Sequence, residues 1–526
     1  MKILLVITLF VFTNTYAQSN YFQQELTYNI SVRLNEKEKA LHGYEKLMYK
    51  NNSPNTLNYI WFHIYPNAYK NQNTALFQQI NTDESRKKKL EKITYGYIDS
   101  LSFKVNGIAA TTEPHPNSQY IDIIKLILPQ PLKPNESVII ETPFYVKLPT
   151  YFSRSGYADG EIIACQWYPK PAVYDAEGWH EMPYLDMGEF YSEYATYKVN
   201  ITVPSTMIVG ATGVLQTSTE LNEYKRLGTL NATNRTAKPA LYQGKKNTYK
   251  TLEYYQDNVV DFAWFADEDF VIQYDTVLLH TGKVVDAFTY YHNKKETLWT
   301  KSIDYAKDAT RFYSRYIGEY AYPVVQVVEG PKNNNSGGME YPTITLITSP
   351  DAAAERLDAV IAHEIGHNWF MGMLGSNERM HTWLDEGMNT YYQFRYEAEK
   401  YRSNSIFGNA IPATVKKLPV NEFLNIIYTQ LLSIPMESEI DIPAYDFKTK
   451  DDYGLISYIK AALWMYFIEV TISQEKVDAA FQHYFANWKF KHPQPKDLQA
   501  SFEFAMDGKK FDDIFGLLKK KGSFKD

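Results

Sequence analysis

The apolar residues of this 526-residue chain change their spacing near its middle, and no other feature narrows the possible folds as much. From about residue 26 to residue 275, short alternating or continuous apolar runs are separated by turn signals. Tyr28-Asn29-Ile30-Ser31-Val32, Ser137-Val138-Ile139-Ile140 and residues 197–204 are such runs, and Val209-Gly210-Ala211-Thr212-Gly213 is such a turn. Alternation puts successive side chains on opposite faces of a strand, so this half is predicted to be mainly β. After roughly Asp286 the spacing becomes helical, first over residues 294–317, where Trp299, Ile303, Ala306, Ala309 and Phe312 or Tyr313 recur. The second half is predicted to be mainly α, with one small sheet from residues 324–328 and 343–348. No repeat of 20 to 50 residues is present.

A multidomain α+β protein follows, with an N-terminal β domain over residues 18–275 and a mainly α domain over residues 276–526. Residues 1–17 read as a signal peptide: Met1-Lys2, an apolar stretch from Ile3 to Phe12 too short to span a bilayer, and Ala17 at the cut. The mature chain is therefore expected in a periplasm or outside the cell. No later segment offers about 20 uncharged apolar residues, so stable membrane insertion is not expected. The net charge of −7 and the isolation of basic runs such as Arg86-Lys87-Lys88-Lys89 exclude a nucleic-acid partner. Cys165 is the sole cysteine, so no intrachain disulfide forms.

His363-Glu364-Ile365-Gly366-His367 lies in a helical segment whose apolar positions are Leu357, Val360, Ile361 and Trp369; Pro350-Asp351 marks its start and Gly372 or Gly375 its stop. Two histidines four residues apart project from one helix face and reach one metal ion, while Glu364 beside them can take a proton from metal-bound water. A catalytic zinc site needs a third protein ligand and an open position. Glu386, within Trp383-Leu384-Asp385-Glu386-Gly387, supplies it from a second segment predicted to be an amphipathic helix packed on the first.

The H-E-x-x-H motif, eighteen residues and then Glu386 within Trp-Leu-Asp-Glu-Gly resemble the signature of the gluzincin zinc aminopeptidases of the aminopeptidase N and leukotriene hydrolase type. Gly337-Gly338-Met339-Glu340-Tyr341 resembles that family's exopeptidase motif. The resemblance implies that Glu340, with Gly338 and Met339 beside it, contacts the free α-amino group of a substrate. Tyr458-Ile459-Lys460-Ala461 resembles the segment whose tyrosine stabilises the oxyanion, which gives that role to Tyr458 and makes Tyr453 the reserve candidate. Ala164-Cys165-Gln166-Trp167 resembles a cleft-lining stretch of the β domain, which implies that Gln166 helps hold the amino end, with packing as its other reading. The implied fold is a saddle-like antiparallel β domain followed by a thermolysin-like catalytic domain.

The chain departs from the family pattern at Tyr341, Asp385, Ile459 and Ala461, and its end at Asp526 leaves little room for the large C-terminal helical domain of many relatives. The expected activity is removal of N-terminal residues from peptides with one zinc ion and Glu364 as general base. A zinc endopeptidase, another zinc hydrolase, or a non-catalytic binding protein on the same scaffold are the alternatives. Oligomeric state is left open.

Overall fold

The computed structural model describes residues 21–90, 92–235, 238–293, 298–333, 336–349, 352–522 and 524. The expected signal peptide, 1–17, lies outside them.

The first half is built on a nine-stranded sheet. Its central strands are Tyr249–Val259, Ala195–Pro204, Glu25–Asn35, Ala40–Lys50 and Ser137–Lys147, in that spatial order. Glu25–Asn35 shows why the sequence folds this way: Leu26, Tyr28, Ile30, Val32 and Leu34 are buried, while the residues between them face outward. All pairings among these five strands are antiparallel except that of Glu25–Asn35 with Ala195–Pro204, which is parallel and joins segments about 170 residues apart. Two four-stranded sheets and a small hairpin complete this half. One of them contains Glu161–Ala164, which leads directly to Cys165 and Gln166. A 16-residue helix, Ser218–Thr233, also lies here; only Tyr224, Leu227, Gly228 and Asn231 of it are buried, too sparse an apolar stripe for the β-rich sequence to announce.

The sheet of the second half has five strands, in the order Phe270–Leu278, Val284–His292, Val324–Glu329, Ile344–Ile347 and Gly338–Tyr341. The boundary expected after residue 275 falls inside its first strand, whose partner over its whole length is Val284–His292. Gly338–Tyr341, the greater part of the motif singled out in the sequence, is an edge strand antiparallel to Ile344–Ile347. The two halves are stitched by polar contacts. Gln326 Nε2 donates to the carbonyl of Ala211 at 2.6 Å, and the Gly213 amide donates to Thr343 Oγ1 at 2.7 Å.

Helix Ser302–Tyr316 buries Ile303, Ala306, Ala309, Phe312 and Tyr313, the stripe expected from spacing. Helix Ala354–Gly366 carries the histidine motif and packs against helices Ser302–Tyr316 and Glu386–Tyr401. It stops at Gly366, short of the Gly372 or Gly375 expected to end it. Asn368 gives its side-chain amide to the Ile365 carbonyl at 3.0 Å, and a tight turn with Met371 at φ 81° follows. Glu386–Tyr401 is not amphipathic: every residue from Glu386 to Ala398 is buried, because neighbouring helices cover it on all sides. A continuous helical run, Lys450–Ile472, is long and apolar enough to cross a membrane by length and composition. In the fold Ala461, Ala462, Leu463, Trp464, Met465 and Ile468 are buried inside the protein. Within this run the six residues Leu455–Lys460 form a π-helical turn, a local widening that often re-aims side chains at functional sites.

Candidate metal centre and active-site cleft

His363 lies in the last turn of helix Ala354–Gly366 and His367 caps its C-terminus, while Glu386 opens the next long helix. Their side chains converge. His363 Nε2 and His367 Nε2 are 3.1 Å apart, and Glu386 Oε2 lies 3.3 Å and 3.4 Å from them. Ligands about 2.0–2.1 Å from a tetrahedral ion stand roughly 3.4 Å from one another, so the donor set fits zinc.

The rest of each ligand is tied back into the protein. His363 Nδ1 meets Gln393 Oε1 at 2.8 Å, and His367 Nδ1 meets Asp385 Oδ1 at 2.6 Å. A proton on each Nδ1 leaves the Nε2 lone pair aimed at the centre. Asp385 precedes a helix but makes no side-chain cap for it; its carboxylate goes to His367 instead. Glu386 Oε2 is buried without a hydrogen-bond partner, as a ligand atom would be. Burial opposes ionisation of Glu386, yet the two imidazoles hold its carboxyl well below the usual range. Burial likewise opposes charge on His367, but Asp385 and Glu386 outweigh it and raise its pKa. The pocket is electrostatically set to hold positive charge.

Glu364 lies on the cleft wall beside these groups. Burial pushes its carboxyl up to about 7, against the lowering pull of His363 and His367. Gly338 allows its approach: a Cβ there would sit 2.5 Å from Glu364 Oε1. Met339 and Glu340 continue the edge strand along the cleft. A Glu340 carboxylate oxygen lies within 4.8 Å of donor atoms of His367 and Glu386. Glu340 Oε1 is buried with no hydrogen-bond partner, and burial, then Glu189, raise its pKa well above normal.

Tyr458 sits in the π-turn with its ring stacked on His363 at 5.9 Å and its hydroxyl donating to Glu386 Oε1. Tyr453 lines the same cleft, 6.1 Å ring to ring from Tyr458, but the hydroxyl on Glu386 is that of Tyr458. Gln166 is placed differently. It adopts φ 52°, its amide donates to Asp261, and its carbonyl accepts from Lys170 at 3.1 Å. It stands outside the main cleft, in an adjoining cavity of about 20 Å³ walled also by Glu189 and Glu340.

The main cleft encloses about 430 Å³ between the two halves of the chain. Several of its determinants escaped sequence reasoning. Asn389 donates to the His363 carbonyl at 2.7 Å and, with Gln393, follows Glu386 at the i+3 and i+7 positions of one helix face, a spacing the sequence did display. Arg154, Glu189, Arg86 and Asp186 come from the β half and carried no motif. Arg154 binds Glu189 through Nε at 2.9 Å and through a second nitrogen, and Arg86 grips Asp186 at 2.6 and 2.8 Å.

The model of the peptidase family M1 domain matches residues 302–517. Leucine aminopeptidase 2 of Yarrowia lipolytica is 30% identical over 183 residues, covering 33% of this chain and 27% of that protein. The leukotriene A-4 hydrolase homolog of Botryotinia fuckeliana is 28% identical over 190 residues, 35% of this chain and 27% of its own length. The matched part thus spans about a quarter of these relatives. A crystal structure of a mutant M1 zinc metallopeptidase from Deinococcus radiodurans, bound to a Tyr-Ser-Ala substrate, shares the fold with TM-score 0.62 at 15% identity, over 94% of both chains. An N-terminal β-sheet domain followed by a helical domain is common to both. From Ser302 to Leu517 the chain is thus similar to the peptidase family M1 domain.

Proposed function

We propose that the chain is a zinc aminopeptidase that removes N-terminal residues from peptides, using one metal ion. The observation that carries this reading is Glu340: its buried Oε1 has no hydrogen-bond partner, and one of its carboxylate oxygens lies within 4.8 Å of a ring nitrogen of His367 and of a carboxylate oxygen of Glu386. In an aminoacyl substrate the α-ammonium and the scissile carbonyl are two bonds apart. A carboxylate this close to His367 and Glu386 suits an amino group one residue's backbone away from the carbonyl. An ammonium satisfies the orphaned oxygen with a charge-assisted hydrogen bond.

His363, His367 and Glu386 would hold zinc, which when bound supplies Lewis acidity toward the carbonyl and activates water. Glu364 accepts the proton of the attacking water on its carboxylate and delivers it to the departing amine nitrogen. A carboxyl poised near neutrality by burial suits both halves of that transfer. Tyr458 donates its phenolic hydrogen to the oxygen that gains charge, exchanging its bond to Glu386 for one to substrate. Gln166, locked between Asp261 and Lys170, bounds the amino end rather than reaching into the main cleft. The apolar run after Met1-Lys2 supports export of the chain by a cleaved signal peptide.

The test is turnover of aminoacyl-arylamides and of a peptide against its N-acetylated twin, with and without a zinc chelator. The free-amine substrates should be cut and the acetylated twin spared, with all turnover lost to the chelator. Glu340→Gln should lower kcat/KM on free-amine substrates by about 10- to 100-fold, the size of one hydrogen bond to a charged group. Equal cleavage of both peptides would overturn the exopeptidase assignment.

A further inference from the structure

The mechanism leaves one group of cleft residues without a task. Arg86, on helix Glu84–Leu90, and Lys450, the first residue of the helical run that carries Tyr458, share a single carboxylate. Both oxygens of Asp186 are taken by Arg86 at 2.6 and 2.8 Å, and Lys450 Nζ approaches one of them at 3.3 Å. The nearby Arg154 is already matched by Glu189. On this wall three cations face two carboxylates. The surplus lies at Lys450, whose side chain keeps 38% of its surface exposed, against 11% for Arg86 and 7% for Asp186. An ammonium has three donors, and Asp186 engages one of them. Burial lowers the Lys450 pKa, and Arg86 and Arg154 add to that effect, so the positive potential there is only partly offset by Asp186.

We propose that Lys450, backed by Arg86, receives a carboxylate of the substrate. This rests on the aminopeptidase reading. The carboxylate is either the side chain of an N-terminal Asp or Glu or the C-terminal group of a short peptide. The surroundings favour the first. Glu189, the partner of Arg154, shares a small cavity with Glu340, and Arg154 lies within electrostatic reach of Asp186, so the cations adjoin the end of the cleft where the amino group is held. Asp186 then acts as a positioning residue: it fixes both cations while leaving their sum positive.

Glu- and Gln-arylamides differ by one charge and almost nothing in size, which makes them the decisive pair. The protein should prefer Glu over Gln by about ten-fold in kcat/KM, the scale of one charge-assisted hydrogen bond partly open to water. Lys450→Met should bring that ratio to about one, and Lys450→Arg should restore it, since charge rather than shape is recognised. Tri-alanine and its C-terminal amide form the second arm. A preference for the free acid in this pair alone, abolished in Lys450→Met, assigns the carboxylate to the C-terminus. Turnover of Gln-arylamide with no charge preference in either pair overturns the site and leaves the aminopeptidase reading intact. Failure of that reading appears instead as no turnover of either arylamide. The site is then judged by calorimetric binding of Glu-Ala-Ala and Gln-Ala-Ala to the zinc-loaded chain, where equal affinities overturn it.

Discussion

His367 Nδ1 lies 2.6 Å from Oδ1 of Asp385, the residue directly before Glu386 in the chain. Two consecutive residues thus belong to one candidate metal centre, Glu386 as a candidate donor and Asp385 as the group that orients His367. Removing such an outer partner costs about 10- to 100-fold in metal affinity. Asp385→Ala should weaken zinc binding by that amount in a competition titration against a chelator, while Asp385→Asn, which still offers an acceptor, should fall between. Unchanged affinity in the alanine variant would remove Asp385 from the centre.

Glu364 contributes no donor atom to the His363, His367 and Glu386 cluster. Glu364→Gln should therefore retain one zinc per chain by elemental analysis and still bind a tripeptide, while kcat drops by about 10²- to 10⁴-fold, the usual share of a general base. Full activity in that variant would assign the proton transfer elsewhere.

Tyr458 and Tyr453 can be told apart by deleting one oxygen from each. Tyr458→Phe should lower kcat by about 10²- to 10³-fold with little change in KM, because in the proposed mechanism its donor turns from Glu386 to the oxygen that gains charge. Tyr453→Phe should have the smaller effect. The reverse order would transfer the role to Tyr453.

Asp122 links stability to pH. It is buried, accepts from the Tyr184 amide at 2.6 Å, and so pins the start of the segment that leads to Asp186 and Glu189. Burial raises its carboxyl from 3.8 to about 7. Between those values the folded protein binds a proton that the unfolded chain has released, so stability falls as pH rises through the window and is fully present only below it. The loss by pH 7 is on the order of 4 kcal/mol at most. In Asp122→Asn the unfolding free energy, followed by denaturant titration from pH 4 to pH 8, should lose this slope. An identical slope in both proteins would place the titration elsewhere.

The candidate metal donors were legible because a helix converts a four-residue spacing into one face, and Glu386 stood in a string that resembles a family signature. The β half was legible by its alternation, as in Leu26 to Leu34. Other features were hidden for a physical reason. Glu189, Arg154, Arg86 and Asp186 reach the cleft only after chain segments far apart in sequence have paired, and no local spacing encodes that. The early stop of the motif helix depends on one Asn368 side chain competing for a carbonyl. The full burial of Glu386–Tyr401 is decided by what surrounds it, since its own sequence carries enough polar residues to pass for a surface helix. Gln166 was placed at the amino end by resemblance; its bonds to Asp261 and Lys170 make it part of a wall.

The run from Lys450 to Ile472 is one continuous rod, and it touches helix Glu386–Tyr401 where Gly387 faces Ala461, so closely that a Cβ on Gly387 would come within 2.3 Å of the Ala461 methyl. Lys450 at one end and Tyr458 in its widened turn therefore tilt and slide together. On the roles proposed for Lys450 and Tyr458, selectivity and turnover depend on the same shaft: a change that shifts the rod by a fraction of an ångström to admit a new side chain would also move the phenol. Under selection these two properties should drift as a pair, and retuning one without the other requires substitutions on the β half, at Arg86 or Asp186, which the rod does not carry.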